Sequence, residues 1–117
     1  MARYTCSFTV ADDVEFLRQL LSQVLHSCHL DIQHDKSDYM MARERLGQVS
    51  FSKLVKVEAL IDKTTATTSA TRVNLIVKNE ELPLQTDNHC YQIFNLIKQA
   101  IADNCQWQIV ETAVESI

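Results

Sequence analysis

Gly47 is the only glycine among 117 residues, and Pro83 the only proline. The scarcity of glycine has a direct consequence. Loops that cradle phosphate, and the sharp strand-to-helix turn that presents a nucleophilic serine, need several glycines for tight turns and close backbone approach. The P-loop, the dinucleotide-binding fingerprint and the hydrolase elbow are therefore excluded. No long apolar run is present, so the chain carries no candidate membrane span. Its start, MARYTCSFTV, lacks the basic region and long apolar stretch of an export signal, and a cytoplasmic location is expected. Eleven Lys and Arg against 15 Asp and Glu give a formal charge of −4. That balance speaks against nucleic acid, for which a clustered basic footprint is expected.

What remains is ordinary globular composition, 46% hydrophobic and 22% charged. A chain of this length buries a real core, and a single α+β domain over residues 1–117 is expected. Residues 3 to 10 alternate, with Tyr4, Cys6, Phe8 and Val10 on one side, which is the period of a half-buried strand. Asp12, with Glu15 three residues on, reads as a capping-box variant that starts a helix. Val14, Leu17, Leu20, Leu21, Val24 and Cys28 then keep the spacing of one buried helical face to about residue 29. DIQHDKSD follows as a mostly polar connection.

A meander comes next. Gly47 lies in a turn between 38–46 and 49–63. Setting Leu46 opposite Val49 puts Met40 and Ala42 on the side of Phe51, Val55 and Val57. Setting Ile61 opposite Thr71, across TTATTSAT, adds Ala59, Val73, Leu75 and Val77 to that side. Pro83 ends the strand. A second helix is expected from Thr86 or Asp87, with Cys90, Ile93, Phe94, Ile97 and Ile101 in one stripe. CQWQIVE reads as the last strand, with Cys105, Trp107 and Ile109 together.

The order β-α-β-β-β-α-β predicts a two-layer α+β sandwich, a five-stranded mainly antiparallel sheet with two helices on one face. It resembles a ferredoxin-like βαββαβ unit with one extra strand, and a resemblance of fold implies nothing about function.

The segment LHSCHLDIQH holds three histidines and a cysteine, which poses the question of a zinc site. Helical phase answers it. At about 100° per residue, His26 lies about 160° and His29 about 100° from Cys28 around the helix. No C-x-x-C or H-x-x-x-H spacing supports a site, so no metal and no cofactor are expected. All four cysteines, Cys6, Cys28, Cys90 and Cys105, fall in core phases, where a free thiol acts as a small hydrophobe. His29, His34 and Asp35 form the candidate set for a small enzyme, yet they lie in a polar stretch with nothing to exclude water.

The open sheet face supplies the leading reading. Its outward positions are Tyr39, Met41, Arg43 and Arg45, then Leu54, Lys56, Glu58 and Leu60, then Arg72, Asn74, Ile76 and Lys78, with Arg3, Thr5, Ser7 and Thr9. Among these, Tyr39, Met41, Leu54, Leu60 and Ile76 are the candidate interface. The central outward positions hold no aromatic, so the base-stacking signature of an RNA-binding sheet is absent. The expectation is a non-enzymatic protein-interaction or regulatory domain, a homodimer through the sheet face or an edge strand being one form of it. The alternative is a small-ligand-binding module with a pocket between sheet and helices.

Overall fold

The computed structural model describes residues 2–11, 13–47, 49–64, 66–67, 70–80 and 88–103, and the backbone of 109–116. In chain order the elements are β1 (Ala2–Val10), α1 (Val14–Ser27), β2 (Leu30–Lys36), β3 (Tyr39–Glu44), a 3-10 turn (Phe51–Lys53), β4 (Lys56–Asp62), β5 (Thr71–Asn79), α2 (His89–Asp103) and β6 (Ile109–Ser116). The sheet runs β2-β3-β4-β5-β1-β6, and each neighbouring pair is antiparallel. Both helices pack on one face, which makes a two-layer α+β sandwich. β1 lies between the two strands that flank α2, as in a βαββαβ unit, with β2 and β3 added at one edge.

Alternation in the sequence becomes alternation of burial. Ala2, Tyr4, Cys6, Phe8 and Val10 of β1 face the helices, as do Val57, Ala59 and Ile61 of β4 and Val73, Leu75 and Val77 of β5. Leu17, Leu20, Leu21, Val24 and Leu25 of α1 and Cys90, Ile93, Phe94, Ile97 and Ile101 of α2 close the layer from above. Each fully buried Leu, Ile or Phe contributes about 1.5–3 kcal/mol. A helix cap contributes about 1 kcal/mol, so the apolar stripes dock the helices and the caps set where they begin.

The caps themselves depart from expectation by a residue or two. Asp13 is the N-cap of α1, its Oδ1 accepting the Phe16 N–H at 2.8 Å, so the cap sits one residue beyond Asp12. α2 begins at His89, after Asn88, whose Oδ1 accepts the Tyr91 N–H at 3.1 Å. Asn88 is buried and its Nδ2 also donates to Tyr4 Oη at 3.2 Å, tying the helix start to the central strand. Thr86 and Asp87, expected at that start, lie outside the described residues, as do Pro83, Cys105 and Trp107.

Two registers differ from the expected ones by even numbers. Met40 pairs with Ala59 instead of Val55, and Ile61 with Val73 instead of Thr71. An even slip keeps every side chain on its face, so the core survives unchanged. Phe51 does not share it. Residues 51–53 form a 3-10 turn, β4 starts only at Lys56, and Phe51 stands 80% exposed where an inward position was expected.

The polar stretch after α1 is a strand, and the sheet therefore has six strands where five were expected. As an edge strand, β2 pairs on one side only, and Leu30 and Ile32 suffice to hold it against the core. A register shift between Ile32 and His34 then reverses its faces. Asp35 arrives on the helix side, where Arg18 Nη2 of α1 donates to its Oδ1 at 2.6 Å.

Cys6, Cys28 and Cys90 are buried and form no disulfide. Burial pushes the Cys6 thiol from its ordinary 9.0 up to about 11, against a smaller opposing pull from Lys98. Burial raises Cys28 as well. Cys28→Ser is expected to lower stability by about 1–3 kcal/mol, because a hydroxyl replaces a thiol that tolerates an apolar site; denaturant unfolding checks this.

His29 follows the C-cap of α1 in a left-handed conformation, φ 64°, a position that usually holds glycine. His29→Gly is expected to raise stability by about 0.5–1 kcal/mol, since glycine adopts this backbone without a Cβ penalty. An unchanged or lower midpoint in the same unfolding experiment would refute that account.

Candidate interaction surface

The face turned away from the helices is built of cross-strand rows. Tyr39, Leu60 and Asn74 are opposite one another across β3, β4 and β5. The next row is Met41, Glu58, Ile76 and Thr5, with His34 of β2 beyond Met41. The third is Arg43, Lys56, Lys78 and Arg3. At the opposite end Asp62 faces Arg72. Two rows rich in apolar groups are thus bounded on one side by four cations in register.

Glu58 is the hub of this face. Tyr39 Oη donates to its Oε2 at 2.8 Å, and Lys78 Nζ approaches its Oε1 at 2.7 Å. The Lys78 ammonium, then the Tyr39 hydroxyl, hold the carboxyl below its ordinary 4.5. The same contact raises the Tyr39 phenol. By sign, the stabilisation from Glu58 is in place above that ordinary value and is lost as pH falls through the lowered one.

The expected interface residues differ in what they present. Leu60 is exposed, Tyr39, Leu54 and Ile76 are half-buried, and Met41 is 8% exposed even though it occupies an outward position. Leu54 is not on a strand; it caps the 3-10 turn beside the face. Two further apolar groups rise from the β3–β4 loop, Leu46 at 71% exposure and Phe51. Neither exposure was expected, since the sequence pattern carries one strand through Leu46 and the next through Phe51; β3 ends at Glu44, and Gly47 beside Leu46 takes a left-handed φ of 97°.

Between that loop and the basic row lies a cleft of about 980 Å³. Arg43, Lys56 and Lys78 supply its floor charges, and Phe51, Leu46 and Leu54 its apolar side. The layer between sheet and helices, where the alternative reading puts a ligand pocket, holds the core cluster described above. The cleft opens on the other face.

One wall of the cleft is fixed by a buried carboxylate. Glu44 at the end of β3 is 6% exposed, and its Oε1 accepts the Val55 N–H at 3.1 Å. His89 Nε2, in the first turn of α2, lies 2.9 Å from both carboxylate oxygens. A carboxylate accepts only, so the proton sits on Nε2. Strand parity foreshadows the burial of Glu44, which shares the inward phase of Met40 and Ala42. Nothing in the sequence couples it to His89.

His29, His34 and Asp35 are not brought together. His29 is exposed in the turn after α1, His34 and Asp35 are on opposite faces of β2, and Asp35 is engaged by Arg18. His26 is exposed, with its Nδ1 3.5 Å from Arg45 Nη2. Among the described residues no group of three or more His, Cys, Asp or Glu is placed to hold a metal ion, and no helix is long and apolar enough to cross a membrane.

No family model matches the chain, and no curated protein does. Among solved structures it is similar to the crystal structure of a conserved protein from Geobacillus kaustophilus, at 14% identity and a TM-score of 0.36, over 86% of this chain and 95% of that one.

Removing the Glu44 carboxylate strands a buried N–H of Val55 and takes the carboxylate away from His89. Glu44→Ala is expected to cost about 2–4 kcal/mol, more than a surface pair could account for. Thermal or denaturant unfolding checks it, and a loss below about 1 kcal/mol would place Glu44 with ordinary surface charges.

Proposed function

We propose that the chain is a non-enzymatic protein-interaction domain that self-associates through its uncovered sheet face. The observation that supports this reading is the pair of adjacent rows Tyr39–Leu60 and Met41–Ile76, in which exposed Leu60 and half-buried Tyr39 and Ile76 stand around Glu58 on a face that no described element covers. Apolar groups scattered singly over a surface need no partner. Aligned in neighbouring rows, they form a patch that a partner can cover.

The size of the face fits a second copy. Strands about 4.8 Å apart, advancing about 3.3 Å per residue, give a six-stranded face of roughly 25 by 25 Å, or about 600–700 Å² in flat projection. A standard interface buries about 800 Å² per partner. A two-fold axis lying across the strands places the Tyr39–Leu60 row over the Met41–Ile76 row of the partner copy. It also sets the basic row over the end that holds Asp62 and Arg72, and keeps the two basic rows apart. The edge-strand form of a dimer is less favoured at β2, which is bulged and carries exposed Asp31, His34, Asp35 and Lys36. A cytoplasmic setting, in which buried thiols stay reduced, belongs to the same reading.

Sedimentation of the full chain at micromolar concentration tests it. The wild-type chain is expected to be dimeric, and Leu60→Asp with Ile76→Asp to be monomeric with an unchanged circular-dichroism spectrum. A wild-type chain that stays monomeric throughout removes self-association, and a dimer indifferent to the double substitution places the contact elsewhere.

A further inference from the structure

Arg43, Lys56, Lys78 and Arg3 stand directly opposite one another on four adjacent strands. Like charges in that arrangement oppose one another and lower the stability of the sheet. The chain as a whole is acidic, at −4, so the alignment is a local concentration against the overall balance. Among the described residues only Lys78 of the four makes an ion pair, with Glu58 at 2.7 Å, and Asp31 of β2, opposite Arg43, is paired with Arg45. Among the described residues neither Arg43 nor Arg3 makes a side-chain hydrogen bond or an ion pair, and Lys56 feels Glu58 only at longer range.

Of the three acids that line the cleft, two are committed: Asp31 accepts from Arg45 Nε at 3.0 Å, and Glu44 is held by Val55 and His89, while Glu80 is exposed. Arg43 and Lys56 are therefore the floor charges left over, and they are neighbours. A bound anion between them would turn a repulsive pair into a shared attraction, with the charge-assisted hydrogen bonds that a phosphate oxygen accepts well. Phe51, 80% exposed, and exposed Leu46 line the cleft, and the Phe51 ring has no aromatic partner among the described residues. A volume of about 980 Å³ takes a molecule of nucleotide size.

We infer that the cleft binds a nucleotide-like organic polyphosphate, its phosphates across Arg43 and Lys56 and its flat ring against Phe51. This goes beyond the interaction reading and does not rest on it, since the cleft lies at the basic end of the face and is complete within one chain. Nor does it revive the phosphate-cradling loops excluded by the glycine count, because here side chains on a sheet, and not backbone amides, face the anion.

Calorimetric titration of the full chain at low salt, with adenosine triphosphate and with inorganic tripolyphosphate as probes, tests the inference. Saturable binding of the nucleotide is expected, weakened roughly tenfold or more in Arg43→Gln with Lys56→Gln, as loss of two charge-assisted contacts implies. Phe51→Ala is expected to weaken the nucleotide several-fold and leave tripolyphosphate unchanged. The unliganded Arg43→Gln, Lys56→Gln chain should also melt higher than wild type, since the opposed cations are gone. No saturable binding overturns the site. Binding indifferent to the double substitution overturns the placement, and equal binding of both probes with no effect of Phe51→Ala overturns the organic ligand in favour of a simple anion. Because the proposed dimer lays the partner's Asp62 end over the basic row, the titration is also run on Leu60→Asp with Ile76→Asp, and absent binding in that variant overturns the site whatever the oligomeric state of the wild-type chain.

Discussion

Parity of strand pairing is the constraint on which the rest of the structure depends. Because one sheet face is buried under two helices, each strand can slide against its neighbour only in steps of two residues without driving apolar groups into water and polar groups into the core. Five inward apolar residues on β1, three each on β4 and β5, and two on β3 all obey it. A slip of one residue in any central strand would expose several side chains at about 1.5–3 kcal/mol each. That sum rivals the whole stability of a domain this size. The helices enforce the rule from above, and the outward face inherits its rows from it. Arg43, Lys56, Lys78 and Arg3 are in line because Ala42, Val57, Val77 and Tyr4 must be.

The same constraint explains which features were legible in the sequence. The helical stripes and the inward sets of the central strands repeat often enough for period alone to find them, and an error of two or four residues in register costs nothing in the assignment of faces. Legibility ends where parity is broken or where a contact crosses the chain. The register shift between Ile32 and His34 removes the alternation that would have marked β2, and leaves only two apolar residues as a signal. Phe51 looked inward because the strand was extended through residues that form a 3-10 turn. Glu44 shares the inward phase of Met40 and Ala42, so its burial was there to be read. Its partner His89 is 45 positions away, at a helix start that local patterning placed elsewhere. The outward residues of the candidate surface were legible as a list. Their grouping into apolar and basic rows required the true register.

The outward face is neither a second core nor a plain solvated surface. Glu58 sits in the middle of it with a side chain only 17% exposed, and survives there because Tyr39 and Lys78 satisfy both of its oxygens. The arrangement has a cost and a use. An apolar residue at that position would make the two rows continuous and the sheet prone to indiscriminate stacking. A carboxylate tied to a neighbouring ammonium interrupts the patch and fixes the orientation of Tyr39. A partner docking here would have to complement that polar centre and could not simply cover grease.

The buried pair of Glu44 and His89 joins the two ends of the argument. Glu44 ends β3 beside the basic row, accepts from Val55 at the start of β4, and meets the first turn of α2. One carboxylate therefore fixes the backbone on the way out of the β3–β4 loop and links it to the helical layer. The loop above it carries Gly47 in a left-handed conformation and leaves Leu46 and Phe51 exposed. The fold thus sets a charged row, parity-locked into the sheet, beside an apolar edge supplied by the loop, and both line one cleft. Fixed charge next to exposed apolar surface is an arrangement suited to recognition.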